Sequence, residues 1–147
     1  MTTRILSLLS ILFLTGTISS GCSEDIPDCP SRMCIVAGGW QLTEVYVDDE
    51  SYAGDFSLYR LMLTMPSPTT NTISEFSRVQ PSGETDAGSW SLENDETILR
   101  LVPGNNQSLA EDWIIESMTP RKMVLIIHRD VGIKDGPAKI EFNLTPF

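Results

Sequence analysis

The chain has 147 residues, 41% of them hydrophobic, with 20 acidic side chains against 10 basic ones. A formal charge of −10 excludes a nucleic-acid binder, whose phosphate partners demand a basic face, and excludes electrostatic docking on anionic lipid. The length admits one domain with a real core and not two.

The N-terminus carries one positive residue, Arg4, then an apolar run from Ile5 to Leu14 and small residues ending in Gly21-Cys22. That order is a secretory signal, and the run is shorter than the roughly 20 residues a spanning helix needs. Gly21-Cys22 resembles the bacterial lipobox, in which the Cys is acylated and becomes the first residue of the mature chain. Ser19 stands where a lipobox usually has an aliphatic residue, and Ile18 lies one place further out. The competing reading is an ordinary cleaved signal with a stray Cys. Each buried lipid CH₂ contributes about 0.8 kcal/mol, so an acylated Cys22 would hold the domain at a membrane surface. The next residues, Ser23-Glu24-Asp25, lack an Asp directly after the Cys, which resembles an outer-membrane address. A Ser followed by acidic residues is also similar to the surface-export signal of Bacteroidota lipoproteins; its alternative is a solvated acidic linker. The expected division is a signal peptide over 1–21, an acylated linker over 22–37 and a folded domain over 38–147. The localisation that follows is the cell envelope, on the periplasmic or the surface face of the outer membrane.

Cys22, Cys29 and Cys34 are the three cysteines. With Cys22 acylated, Cys29 and Cys34 remain as an even pair in an oxidising compartment, and a disulfide between them is expected. So short a loop contributes about 2 kcal/mol by the chain-entropy argument. A Cys-x4-Cys metal site would need two more ligands, and His128 is the one His in the chain.

From Gly38 onward there is no helical period, and turn residues recur at intervals near ten, which predicts strands over 39–47, 56–65, 71–80, 87–93, 96–102, 110–118, 121–130 and 138–145. The opening Gly38-Gly39-Trp40 allows a tight entry, and period two places Trp40, Leu42, Glu44 and Tyr46 on one face. Connections such as Asp48 to Asp55, Pro66-Ser67-Pro68, Pro81-Ser82-Gly83, Asn94-Asp95 and Thr119-Pro120 are too short for parallel crossovers, so the strands form an antiparallel meander. Eight such strands can close into an all-β, up-and-down β-barrel without edges. Ile140, Phe142 and Leu144 give the cleanest inward alternation, with Leu99 and Leu101, and Trp113 and Ile115, behind them. Met123 to Ile127 is apolar on both faces, which requires a cover on its outer side, from the Ile26 to Val36 segment or a second molecule.

Gly38-Gly39-Trp40 is similar to the Gly-x-Trp that opens the first strand of lipocalins. Gly88-Ser89-Trp90-Ser91-Leu92 followed by Asp95-Glu96-Thr97-Ile98-Leu99, and Trp113 to Thr119 followed by Lys122 to Leu125, resemble successive hairpins of lipocalin-like domains in Bacteroidota lipoproteins. The resemblance covers about residues 38–145 and departs from lipocalins in lacking a Thr-Asp-x-x-Tyr motif and a C-terminal helix. It implies a barrel closed at one end by packed side chains, Trp40 among them, and open at the other.

Catalytic chemistry is not expected. His128 stands alone on an outward face, and no nucleophile elbow, phosphate loop or metal spacing is present. Asp48-Asp49-Glu50 reads as a solvated turn rather than a calcium loop. A transmembrane barrel ending at Phe147 is excluded, because the alternate positions counted back from it hold Thr145, Asn143, Glu141 and Lys139, and a charge on a lipid face costs about 2–4 kcal/mol at mid-depth. Polar and aromatic residues placed on the inward face are the ligand-binding candidates: Tyr46, Tyr59, Phe76, Arg78, Ser117 and Arg129, with Glu44 beside them. The expected function is a lipid-anchored barrel binding a small apolar ligand, with no cofactor and no metal. The competing expectation is a filled barrel that docks on a surface partner or a second copy through the seventh strand. A ligand carrier requires Tyr46 and Tyr59 open to the interior; a docking module requires an exposed patch at Val124 and Ile126.

Overall fold

In the computed structural model, residues 31–65, 74–130 and 136–147 are described. The expected signal peptide, Cys22, Cys29, the Pro66 to Pro68 turn, the first residues of the third expected strand and Gly132 lie outside them. The described elements are helix α1 (Arg32–Val36), then β1 (Gly38–Val47), β2 (Glu50–Ser51), β3 (Arg60–Thr64), β4 (Glu75–Val79), β5 (Thr85–Glu93) and β6 (Ile98–Pro103). A 3-10 turn (Gln107–Leu109), β7 (Glu111–Thr119), β8 (Lys122–Arg129) and β9 (Ala138–Pro146) complete them. From β3 to β9 each strand pairs antiparallel with the next, and β1 pairs with β3 on one side and β9 on the other. The sheet therefore closes as the eight-stranded up-and-down barrel expected from the sequence. The two-residue β2 is an extra arm folded back on the end of β1. It forms because Asp48 and Asp49 take the left-handed backbone (φ 50° and 69°) that a two-residue hairpin turn requires.

The meander gives the barrel two distinct ends. One holds the start of β1, the β5–β6 and β7–β8 turns and the chain terminus at Phe147; we call it the closed end. α1 sits there, although the sequence reading made residues 22–37 a linker and put the domain's start at 38. Ser31 caps the helix by accepting from the Met33 amide. Its hydroxyl also donates to Glu96 Oε1 at 2.6 Å, and the Arg32 amide donates to Glu96 Oε2 at 3.0 Å. Those two hydrogen bonds, Ser31's first, hold the Glu96 carboxyl below the usual carboxylate range. Trp40 Nε1 donates to the Val36 carbonyl at 2.7 Å, and Val36 is fully buried in the core. Cys34 is disulfide-bonded, and its partner lies outside the described residues.

Inside, Trp40, Leu42, Leu61, Leu63, Phe76, Trp90, Leu99, Leu101, Met123, Leu125 and Leu144 form one contiguous buried cluster. Two β-bulges decide which residues belong to it. The β1–β9 register shifts between Leu42 and Glu44, so Val45 turns inward while Glu44 and Tyr46 turn outward. The β7–β8 register shifts between Ile115 and Ser117, so Met118 packs on the core and Ser117 is exposed. One extra residue moves every later side chain to the opposite face. On the outer wall, Tyr46, Glu141, Ile126 and Ile114 share one cross-strand row, and Glu44, Asn143, Val124 and Ser117 the next. Val124 and Ile126 are only 7% and 6% exposed, so the open patch that a docking module required there is not found.

Gly88 pairs with Pro103 of β6, and a Cβ at that position would stand 2.0 Å from the Val102 carbonyl oxygen. A Cβ on Gly39 would meet the Phe147 ring at 2.8 Å and the Met62 side-chain methyl at 3.2 Å, and both are exposed side chains that can swing away. Gly88→Ala is therefore expected to destabilise the domain by about 1–3 kcal/mol, the usual cost of overpacking, and Gly39→Ala by far less. Urea denaturation of both variants checks the ranking.

Candidate functional site at the barrel mouth

The opposite end, the mouth, holds the β1–β2, β4–β5 and β6–β7 connections. Phe56, Ile127, Ile140 and Phe142 are partly buried where they meet the core here, as Met33, Ala37, Leu92 and Met118 are at the closed end. Tyr52, Leu58 and Leu109, in the surrounding connections, are 53%, 56% and 57% exposed.

Within this region Arg78 points inward from β4 and is 4% exposed. An isolated buried cation would carry a penalty of several kcal/mol, so its partners determine whether the site can exist. Asp86, directly across the hairpin in register, accepts from Arg78 Nε at 3.0 Å and from Nη2 at 2.6 Å. This is the bidentate fork that guanidinium and carboxylate geometry favours. Glu111, at the start of β7, accepts from Arg78 Nη1 at 2.7 Å. Its other oxygen meets Arg129 Nη2 at 3.2 Å, and Trp113 Nε1 donates to Oε2 at 3.2 Å. Four strands are thus joined by two cations and two carboxylates of zero net charge. Beneath them the Phe142 ring stands edge-on to Tyr59 (5.7 Å) and tilted against Trp113 (4.9 Å).

The electrostatics hold Arg78 and Glu111 in their charged forms. Burial pulls the Arg78 pKa down, but the hydrogen bonds from Asp86 and Glu111 outweigh it and the net shift is upward. Burial likewise pushes Glu111 up and is overcome by Arg78, leaving its carboxyl below the ordinary range. Tyr59 is pushed up to about 12 by burial, against the opposing pull of the Arg78 charge. Groups locked this way are suited to holding and orienting, since general acid–base work needs a pKa near the operating pH. Among the described residues no group of three or more His, Cys, Asp or Glu is placed to hold a metal ion.

Of the sequence candidates, Tyr59, Arg78 and Arg129 are brought together here. Phe76 lies deeper in the core, its ring 5.8 Å from the Arg78 guanidinium. Tyr46 and Ser117 are excluded from the interior by the two bulges. Outside, Tyr46 donates to Glu44 Oε2 at 3.4 Å, and the Glu44 charge, more than burial, raises its pKa. Tyr59 is 2% exposed, so neither tyrosine is open to the interior as a deep ligand cavity required. Sequence reasoning missed Asp86 and Glu111, whose signals were the hairpin register opposite Arg78 and the inward Glu111, Trp113, Ile115 frame. A cleft of about 520 Å³ lies on the outer wall of β3 to β5, lined by Arg60, Met62, Val79, Ala87 and Phe147 among others. It is across the sheet from the interior rings.

Neither a protein-family model nor a curated protein matches the chain. A solved structure of a lipocalin-like protein from Bacteroides uniformis ATCC 8492 is similar, with a TM-score of 0.47 at 15% identity over 77% of this chain and 99% of that one.

Replacing Arg78 by Met leaves two carboxylates without their shared cation, and loss of about 3–5 kcal/mol at pH 7 is expected from breaking a buried pair. In the wild type, the contribution of the depressed Glu111 carboxyl is present above the ordinary Glu pKa of about 4.3 and is lost as pH falls through its lower native value. In R78M the burial of Glu111 acts unopposed by that cation, so the deficit should shrink between pH 7 and pH 5. Urea unfolding at both pH values reads this out; an equal deficit at each would show that Glu111 is not coupled to Arg78.

Tyr59 adds a second readout. Its native pKa exceeds the unfolded value, so its stabilisation is complete below about pH 10 and is lost as pH rises toward 12. In an absorbance titration of phenolate formation, the final step should disappear in Tyr59→Phe.

Proposed function

We propose that the protein is an envelope lipoprotein, acylated at Cys22 and stapled by a Cys29–Cys34 disulfide, that binds a small apolar ligand in a shallow cup at the barrel mouth. The observation that carries this reading is the exposed apolar rim of Tyr52, Leu58 and Leu109 at the mouth. Next to it, Phe56, Ile127, Ile140 and Phe142 are partly buried where they meet the core. An apolar ligand resting on that rim would remove both sets from water, at about 25 cal/mol per Å² of apolar area buried. The Arg78, Asp86, Glu111 and Arg129 cluster forms the wall beside it and supplies the polar groups that set orientation.

Native mass spectrometry of the soluble domain, Ser23 to Phe147, tests the proposal. A reproducible adduct that disappears on unfolding, or one formed with added long-chain fatty acids and weakened by Leu58→Asp at the rim, is expected. Bare monomer under both conditions would overturn it, as would a ligand-free dimer, which would favour the docking reading instead.

A further inference from the structure

The acyl site and the fold together orient the barrel. Cys22 precedes Ser31 by nine residues, a span of at most about 30 Å when fully extended. Ser31 itself is fixed at the closed end, hydrogen-bonded to Glu96 in the β5–β6 turn. The ten-residue β1 has a contour of about 33 Å, so only a completely extended tether laid along the barrel wall would bring the mouth to the bilayer. Pairing Cys34 with Cys29 would shorten the free span further, to about 23 Å.

The chemistry of the closed end agrees with this restraint. Ile35, Pro120, Pro146 and Phe147 line a shallow apolar recess of about 240 Å³ there. Phe147 is 59% exposed and Met65, close by at the end of β3, is 40% exposed. The adjoining β7–β8 turn carries Arg121 and Lys122, whereas the β1–β2 turn at the mouth carries Asp48, Asp49 and Glu50. Glu93 and Asp95 in the neighbouring turn make the closed end mixed rather than basic, so the contact is chiefly apolar.

Resting on the acylation at Cys22 proposed above, we infer that the closed-end rim of Ile35, Pro120, Pro146 and Phe147 lies on the lipid surface and the mouth opens away from the bilayer. The partner of this rim is a phospholipid headgroup and upper acyl region. Phe147, 59% exposed with the Arg60 guanidinium 5.4 Å from its ring, is the residue that enters it.

The test uses the acylated full chain reconstituted into phosphatidylcholine vesicles whose acyl chains are brominated near the headgroup. The native tryptophans Trp40, Trp90 and Trp113 are 2%, 3% and 5% exposed and give a low, measurable background. Phe147→Trp adds a reporter at the closed end and Tyr52→Trp one at the mouth. Emission of F147W is expected to fall about twofold on bromination, as for an apolar side chain buried about 5–10 Å into the interface, while Y52W follows the wild type. Equal quenching, or stronger quenching of Y52W, overturns the orientation. Vesicle flotation of Cys22→Ala separates the two proposals. If that variant floats as well as the acylated protein, the anchor reading fails and the orientation with it; if only the acylated protein floats and F147W is unquenched, the orientation alone is wrong.

Discussion

Everything in this molecule depends on β1 being shared between two partners. It pairs with β3 through Gly38 to Gln41 and with β9 along nearly its whole length, and that double pairing turns a meander into a closed wall. Closure removes sheet edges, but it fixes how much side-chain volume the interior must hold. The Leu42–Glu44 bulge is the local adjustment that lets one ten-residue strand satisfy both neighbours. Its consequence is chemical as well as geometric, because it exchanges Glu44 and Tyr46 for Val45 on the inner face. Without it the interior would receive a carboxylate and a phenol in place of an apolar side chain.

Arg78 is the second constraint. A guanidinium inside a small barrel is tolerable only with its charge offset by carboxylates, and here one takes two of its donors while another takes a third. That arrangement ties β4 to β5 and β7, with Arg129 adding β8. Because the desolvation of both charges offsets much of their attraction, such a network contributes more to defining one strand register than to net stability. The interior is therefore graded in polarity: apolar at the closed end, with its charged network at the mouth. Helix α1 reinforces the gradient by placing Val36 under Trp40.

The sequence made the wall legible and the contents of the interior only partly so. Ile140, Phe142 and Leu144, Leu99 and Leu101, and Trp113 and Ile115 alternate without interruption, and their faces could be read directly. Period two has no memory of an inserted residue, so Tyr46 and Ser117 were assigned inward although each follows a bulge. A second frame was present in both strands, Val45 with Val47 and Met118 after Ile115, and preferring the more apolar frame would have located the inserted residue. Residues 31–37 were read as linker because five helical residues between Ser31 and Ala37 are too few to show a period. Arg78 and Arg129 could be nominated as inward cations, but their shared carboxylate Glu111 is 33 residues from one and 18 from the other. Only closure of the sheet brings them together.

The graded interior also connects the two ends. The contacts of α1 and the polar network at the mouth lie at opposite extremes of the same strands, so the proposed tether and the proposed ligand would act on separate groups. The residues that position the tether, Ser31, Glu96 and Trp40, touch none of Arg78, Asp86 or Glu111. On that proposal, changes at the mouth rim would alter binding without releasing the closed end, because the paired strands of the wall separate the two. Such separation is what a surface-held binding domain needs. On the function proposed above, the anchor would constrain where the mouth points and leave the mouth free to meet a ligand from the aqueous side.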